Sequence, residues 1–205
     1  MLCNADARGR TLNHRRLIPI AALALCLVML CVALVVTMTP QRPGAPLPSA
    51  VGGAFALVSK DGKPVTERDF LGAPALVFFG YTHCPDVCPT TLFQISQIFA
   101  ALGADKKVAG LFVTVDPERD TPAVLKDYLA SFDPRIRGLS GDAAATAAVE
   151  KSYRVYAKKN PQEGGAYLMD HTSLIYLIDK QGRFVSVFNL ERPPADAAKE
   201  LAGYL

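Results

Sequence analysis

The sequence predicts an α/β domain that is tethered to a membrane by a single N-terminal helix. Three observations predict this class. An uncharged, mostly apolar stretch occupies residues 17–38, strand-like apolar runs alternate with helix-like segments after residue 51, and two cysteines follow the first fully apolar strand. Strands that alternate with helices are typical of a sheet with helices packed on its faces.

Residues 17–38 are expected to form an uncleaved transmembrane anchor. As a helix they would span about 33 Å, and the hydrocarbon core of a bilayer is roughly 30 Å thick. A cleaved signal peptide is the competing interpretation, but the apolar region is long for one and no small-residue cleavage pattern closes it. Cys26 and Cys31 lie within this stretch. Five positions apart on a helix, their side chains point away from each other, so the two cysteines make a poor metal-binding pair.

Charge orients the predicted anchor. Residues 1–16 contain four arginines and one aspartate, so the positive-inside rule places this basic tail in the cytoplasm. A tail this short leaves no room for a long organellar targeting segment, which favours a bacterial inner membrane with the C-terminal domain in the periplasm. The chain has 22 basic and 19 acidic residues in total, so the part beyond residue 16 is neutral and gives no support for a nucleic-acid partner.

The anchor is followed by a linker and then by the predicted domain. Residues 39–50 are rich in proline and are expected to form an extended tether. Residues 51–205 are long enough for one compact domain with its own core.

The first half of the domain predicts a strand-helix-strand unit. Residues 54–58 predict a short strand that ends at the Asp61-Gly62 turn. Continuous apolar runs at residues 75–79 and 108–115 predict strands that are buried on both faces. Between these strands, residues 90–102 place apolar side chains at helical spacing.

The second half predicts helices followed by a hairpin. The segment Asp120-Thr121-Pro122 supplies an N-cap followed by proline at the first helical position and predicts a helix, and Asp142 is expected to cap another. The predicted elements are a helix at 123–131, a helix at 143–159, a loop or hairpin tip at 162–165, paired strands at 173–178 and 184–188, and a closing helix at 195–204.

Cys84 and Cys88 stand at the first crossover of the strand-helix-strand unit. If a helix begins near Val87, the two sulfurs lie about one turn apart and can reach one point. The unpaired amides and the positive end of the helix dipole are expected to lower the thiol pKa values. The element order is that of a thioredoxin-like fold, but three residues separate the cysteines instead of two. The wider pair leaves room for a metal while a disulfide remains possible, so metal and disulfide are alternative states of one site.

His171 is the candidate third ligand. In a thioredoxin-like topology, the loop before the final hairpin passes across the start of the active-site helix, and His171 lies in that loop. His83 adjoins Cys84 and is the weaker candidate, because adjacent ligands on an extended turn usually point apart. Asp170 is a candidate for orienting a neighbouring group. Asp86 is interpreted equally well as a residue that tunes the site or as a solvated turn residue.

The donor set favours copper. Two thiolates and one imidazole suit both Cu(I) and Cu(II), because soft sulfur holds Cu(I) and mixed nitrogen and sulfur ligands can hold Cu(II). Zinc accepts the same ligands but prefers four of them, and the affinity order of divalent metals places copper above zinc.

Three segments in this order resemble the Sco/SenC family of copper-delivery proteins for cytochrome c oxidase. They are residues 80–91 (GYTHCPDVCPTT), 115–122 (VDPERDTP) and 170–179 (DHTSLIYLID) with Gly182. The resemblance runs from about residue 51 to the C-terminus and includes the single anchor. It implies a thioredoxin-like fold, copper bound by Cys84, Cys88 and His171, and delivery of copper to, or preparation of the thiols of, the copper A centre of an oxidase subunit. Other periplasmic copper chaperones and thiol reductases are further expected partners.

Three functions remain open at this level. A metallochaperone, rather than an enzyme, is the favoured hypothesis. A tethered thiol-disulfide oxidoreductase would use Cys84 as the nucleophile and Cys88 as the resolving thiol, and would not need His171. A copper or redox sensor would bind the metal without passing it to an acceptor.

Overall fold

The computed structural model describes residues 27–30 and 51–205. Residues 27–30 are helical and fall within the predicted anchor. No helix in the described part of the chain has the length and hydrophobicity that a membrane crossing requires. The rest of the anchor and the whole linker lie outside the described residues, so both stay predictions.

Residues 51–205 form nine strands and four α-helices, with two short 3-10 helices at Glu67–Phe70 and Glu163–Gly165. The strands are β1 (Ala56–Ser59), β2 (Pro64–Thr66), β3 (Ala75–Gly80), β4 (Ala109–Thr114), β5 (Ile136–Ser140), β6 (Ala157–Pro161), β7 (Tyr167–His171), β8 (Ile175–Ile178) and β9 (Phe184–Val187). The helices are α1 (Val87–Leu102), α2 (Pro122–Leu129), α3 (Ala143–Tyr153) and α4 (Pro194–Ala202).

Seven strands form one mixed sheet in the order β2-β1-β5-β4-β3-β8-β9, and β6 and β7 form a separate antiparallel hairpin. Strand β3 runs parallel to β4, and β4 runs parallel to β5. All six residues of β3 are buried, as the continuous apolar run predicts. This mixed sheet with covering helices confirms the thioredoxin-like α/β class.

The neighbours of β3 position the functional loops. Because β3 and β4 are parallel, the segments that follow Gly80 and Thr114 leave from the same edge of the sheet. Strand β8 is antiparallel to β3 and pairs Ile175 with Phe78, so the residues just before β8 reach that edge as well. The cysteine turn, the loop after β4 and the chain before β8 therefore meet at one end of the sheet.

Helix α1 buries one face on the sheet. Its buried positions recur at intervals of three and four residues, which is the spacing of one helical face. They are Cys88, Thr91, Leu92, Ile95, Ile98 and Phe99. The first of these residues belongs to the predicted metal pair, so the same helix face anchors the core and carries a cysteine.

Helix α2 is capped as predicted, whereas α3 is shorter than predicted. The N-cap of α2 is Thr121, which directly precedes Pro122, and its side chain accepts a hydrogen bond from Val124 N. Helix α3 begins after Asp142, which caps it as predicted, but it ends at Tyr153 instead of continuing to residue 159. Arg154 adopts a left-handed conformation with φ of 56°, which turns the chain out of the helix and into β6.

Four strands are absent from the sequence prediction. Strand β2 has only three residues and pairs with β1. Strand β5 contains Arg137 and Gly138, which interrupt its apolar pattern, although it lies between β1 and β4 in the sheet. Strand β6 is mostly polar, β7 mixes apolar and polar residues, and the two strands pair only with each other. The predicted tip at residues 162–165 is confirmed as the turn of this hairpin, and the predicted pair of strands near the C-terminus is confirmed as β8 and β9.

Candidate metal centre

Cys84, Cys88 and His171 lie together at the end of the sheet where β3 ends. Cys84 is in the turn after β3, Cys88 is in the first turn of α1, and His171 is the last residue of β7. One ligand atom from each of the three lies within 4.8 Å of the other two. Among the described histidine, cysteine, aspartate and glutamate residues, these three form the cluster that is compact enough to hold a metal ion.

Cys88 is the buried member of the group. Its side chain is inaccessible to solvent, and its Sγ lies 3.6 Å from Nε2 of His171. Gly80 makes this position possible, since a Cβ atom at residue 80 would lie 2.7 Å from the Cys88 sulfur. The last residue of β3 must therefore lack a side chain for the sulfur to sit against the strand.

Burial controls the ionisation of Cys88. Desolvation raises the pKa of the Cys88 thiol far above its ordinary value, and the nearby Cys84 sulfur and Asp120 carboxylate raise it further. The sequence-based expectation of a lowered pKa is wrong for this residue. The amides at the helix N-terminus stabilise a thiolate, but desolvation of the buried sulfur destabilises the thiolate by more than the amides stabilise it.

Cys84 is the accessible member. It is half-buried, and its Sγ accepts a hydrogen bond from Cys88 N at 3.4 Å. Both thiols are free, so the pair is in its reduced form. The pair is therefore asymmetric, with one sulfur open to a partner and one enclosed by the core.

His171 is held in the tautomer that a metal ligand needs. Its Nδ1 lies 3.1 Å from the carbonyl oxygen of Thr172 and donates to it, which leaves the lone pair of Nε2 facing Cys88. The ring also packs edge-on against Tyr81, with centroids 5.8 Å apart. Asp170 does not orient this ring, because successive side chains of a strand point to opposite faces, and its Oδ1 lies 3.5 Å from Nδ2 of Asn160 instead.

His83 and Asp86 lie outside the group. His83 is exposed, and its Nδ1 lies 3.1 Å from Oγ1 of Thr82. Asp86 is exposed at the N-cap position of α1, where its side chain makes no capping hydrogen bond. Neither residue is close enough to Cys88 and His171 to join the compact set.

Asp120 is a supporting residue whose role the sequence interpretation missed. Its carboxylate is fully buried and accepts hydrogen bonds from Thr82 N at 3.0 Å, Thr82 Oγ1 at 2.6 Å and Thr114 Oγ1 at 2.6 Å. It therefore ties the cysteine turn to the end of β4. The signal in the sequence is positional, since both segments follow neighbouring parallel strands and must emerge at the same edge of the sheet.

The donor set fits a soft metal ion. Two sulfurs and one imidazole nitrogen face one point, and thiolate and imidazole are ligands that copper accepts in both of its common oxidation states. The same two sulfurs can alternatively exchange with a disulfide, because Cys84 is accessible and its neighbour is close.

The sequence model of the SCO1/SenC family matches residues 44–205. The mouse protein named SCO1 homolog, mitochondrial, is 36% identical over 166 residues, which cover 79% of this chain and 57% of the mouse protein. The chain thus spans little more than half the length of this curated relative.

Solved structures of Sco proteins are also similar to this chain. The structure described as Bradyrhizobium japonicum ScoI with copper bound has 60% sequence identity and a TM-score of 0.74, with 76% of this chain and 99% of that chain covered. A structure of BsSco has 26% identity and a TM-score of 0.61, with 80% and 98% covered. BsSco is described there as a member of the Sco family of cytochrome c oxidase assembly proteins in which a disulfide switch was identified.

Proposed function

The chain belongs to the SCO1/SenC family, and we propose that it binds copper through Cys84, Cys88 and His171 and supplies it during cytochrome c oxidase assembly. The observation that carries this proposal is the convergence of two sulfurs and one imidazole nitrogen within 4.8 Å. The copper-bound state described for the Bradyrhizobium japonicum relative supports the same metal for this site.

Each ligand has a distinct task in the proposed site. The enclosed Cys88 and the oriented Nε2 of His171 form the fixed part, because the core and the Thr172 carbonyl restrict them. Cys84 is the half-buried, accessible part, through which an acceptor ligand can approach. An ion held by one open and two restricted ligands can be passed on by stepwise ligand exchange.

The proposed acceptor is the copper A subunit of the oxidase. Assembly of that centre takes place at a membrane, and the proposed anchor at residues 17–38 would keep the domain there, with residues 39–50 as the tether and residues 51–205 as the copper-binding domain. The apolar composition of the anchor and the basic tail before it support a single-pass orientation with the domain in the periplasm.

The test is a titration of the full-length chain, reduced anaerobically in mild detergent, with Cu(I) and Cu(II) against a competing chelator. We expect one tightly bound copper per chain, and weaker binding in Cys84→Ser, Cys88→Ser and His171→Ala. His83→Ala is the matched control, because this histidine is adjacent in sequence but outside the compact group, and it should bind as the wild type does. Equal weakening by His83→Ala and His171→Ala would contradict the assigned ligand set.

Thiol-disulfide exchange is the second candidate, and the asymmetry of the pair favours it. The Cys84 thiolate would attack a partner disulfide and release one partner thiolate. The Cys88 thiol would then give its proton to that thiolate and attack the Cys84 sulfur, which releases the second partner sulfur as a thiolate that takes a proton from water. The partner disulfide is thereby reduced by two electrons, and Cys84 and Cys88 become the disulfide. If His171→Ala retained full exchange activity while the wild type bound no copper, this second function would replace the first.

A further inference from the structure

The hairpin β6–β7 carries His171 but does not belong to the main sheet. The two strands pair only with each other, and His171 is the last of the five residues of β7. At the base of the hairpin, Tyr156 N and Thr172 Oγ1 are hydrogen-bonded at 3.0 Å. Since sheet pairing does not fix the hairpin, its remaining contacts with the domain help to determine where the His171 ring lies.

Arg119 makes the central contact with this hairpin. Its Nε donates to the buried carboxylate of Asp116, and its Nη1 donates to the carbonyl oxygen of Tyr167 at 3.0 Å. The guanidinium carbon lies 3.7 Å from the centre of the Tyr167 ring, which is close stacking. The Tyr167 hydroxyl donates in turn to Asp116 Oδ1 at 2.9 Å. Arg119 therefore contacts Tyr167 directly through one hydrogen bond and one ring contact, and both side chains also donate to the Asp116 carboxylate.

The same guanidinium also lies near a second ring, that of Tyr81, which contacts His171. Its carbon lies 5.7 Å from the centre of the Tyr81 ring, and Tyr81 packs edge-on against His171. Tyr81 is 2% exposed and Asp116 is 1% exposed, so the groups around Arg119 are fixed by the core. The exposed ion pair between Lys159 and Glu118 adds a further link, but exposed pairs of this kind contribute little.

We propose that Arg119 and Tyr167 form a latch that holds the hairpin β6–β7 against the domain and thereby keeps Nε2 of His171 facing Cys88. Arg119 is a positioning residue, since it touches neither sulfur and acts through the hairpin and the Tyr81 ring. The consequence for copper rests on the proposed function, whereas the mechanical effect on the hairpin does not.

The test compares two conservative substitutions, Arg119→Lys and Arg135→Lys. Lysine keeps the charge but loses the planar fork and its stacking surface. Arg135 is a matched control, because it also pairs with a carboxylate (Asp133), donates to a carbonyl (Gly103, 2.7 Å) and lies 5.0 Å from a ring (Phe99), away from the hairpin. Tyr167→Phe is the milder second variant, since it removes only the hydroxyl that donates to Asp116.

The first measurement is hydrogen exchange of the copper-free, full-length chain, followed in peptides that cover residues 157–171. We expect faster exchange in this segment for Arg119→Lys, a smaller increase for Tyr167→Phe and no change for Arg135→Lys. Unchanged exchange in Arg119→Lys, or an equal increase in Arg135→Lys, would overturn the latch. This readout is independent of copper, so it remains decisive if the wild-type chain binds no metal and the proposed function fails.

The second measurement is Cu(I) affinity in the wild-type and His171→Ala backgrounds. Substitution of a residue that orients a metal ligand typically lowers the metal affinity by about 10–100-fold. We expect Arg119→Lys to bind Cu(I) about tenfold more weakly than the wild type does. The same substitution should cause no further loss when His171→Ala is already present, because the two changes act through one ligand. An equal loss in both backgrounds would show that Arg119 does not act through His171, which would overturn its assignment as a positioning residue.

Discussion

At the scale of single residues, burial determines which side chains titrate away from their ordinary range. Glu150 on α3 is half-buried, and desolvation raises its pKa from 4.5 to about 7. In the folded chain the Glu150 carboxyl group therefore stays protonated at pH values where the same group is ionised in the unfolded chain. Between pH 4.5 and 7 the folded state binds more protons, so the contribution of Glu150 to stability falls as pH rises.

The substitution Glu150→Gln removes this titration. We expect the variant to gain about 1–2 kcal/mol relative to the wild type between pH 4.5 and 8, a value reduced from the full shift because the side chain is only half-buried. The measurement is urea unfolding of both proteins at pH 4, 6 and 8. A difference in unfolding free energy that stays constant across this range would contradict the pKa assigned to Glu150.

Cys88 shows the same effect at the proposed metal centre. The residue occupies the first turn of α1, where unpaired amides favour a thiolate, yet its burial raises the thiol pKa. A sequence pattern identifies the helix N-terminus but not the depth at which the sulfur is enclosed. That depth depends on β3 and β4, which pack against the sulfur from another part of the chain.

At the scale of elements, β3 and α1 can approach as they do because β3 ends in glycine. A Cβ atom at Gly80 would lie 2.7 Å from both the Cys88 sulfur and the Phe112 ring. Gly110 on β4 is similarly crowded, since a Cβ atom there would lie 2.9 Å from Cγ1 of Ile136. The two glycines therefore allow close packing at different places in the sheet.

Gly80→Ala and Gly110→Ala form a pair that separates stability from metal binding. We expect each to lower the free energy of unfolding by about 1–3 kcal/mol, the usual cost of overpacking a core. Only Gly80→Ala should also weaken copper binding, because only that substitution displaces the Cys88 sulfur. Thermal unfolding and Cu(I) competition on both variants provide the measurement, and normal copper affinity in Gly80→Ala would contradict this account.

The boundary between α3 and β6 shows where local sequence signals fail. No glycine or proline marks the end of α3, and the charged residues after it are also good helix formers. The chain nevertheless turns at Arg154 and pairs Lys158 with Asp170 across the hairpin. This pairing involves residues 12 positions apart, so a prediction from local spacing extends the helix too far.

At the scale of the whole molecule, the proposed anchor and the folded domain have separate tasks. Residues 51–205 belong to one compact unit, and residues 17–38 carry the hydrophobicity that a membrane segment requires. We expect the full chain to be recovered in the membrane fraction and released only by detergent, because the anchor is apolar. A chain reduced to residues 46–205 should be recovered without detergent and should bind copper with the same stoichiometry.

Cell fractionation and copper titration of both chains check this prediction. Release of the full chain by high salt alone would show that it is bound at the membrane surface, which would contradict the proposed anchor. Loss of copper binding in residues 46–205 would show that the domain depends on the preceding segment.

Features that depend on neighbouring residues could be predicted from the amino-acid sequence. The apolar runs identified β3 and β4, helical spacing identified α1, and the separation of Cys84 and Cys88 by one turn predicted that their sulfurs would meet. The three motifs also predicted the family, which the match over residues 44–205 confirms.

Features that depend on distant segments follow from the assembled fold. The antiparallel pairing of β8 with β3 brings His171 to Cys88, as the expected thioredoxin-like topology predicts, and the parallel strands bring Asp120 to Thr82, which was not predicted. Neither contact follows from local propensity, because its partners are far apart in the chain and their positions depend on the order of strands in the sheet. For the same reason, the raised pKa of Cys88 required the assembled core, since desolvation is a property of everything packed around the sulfur.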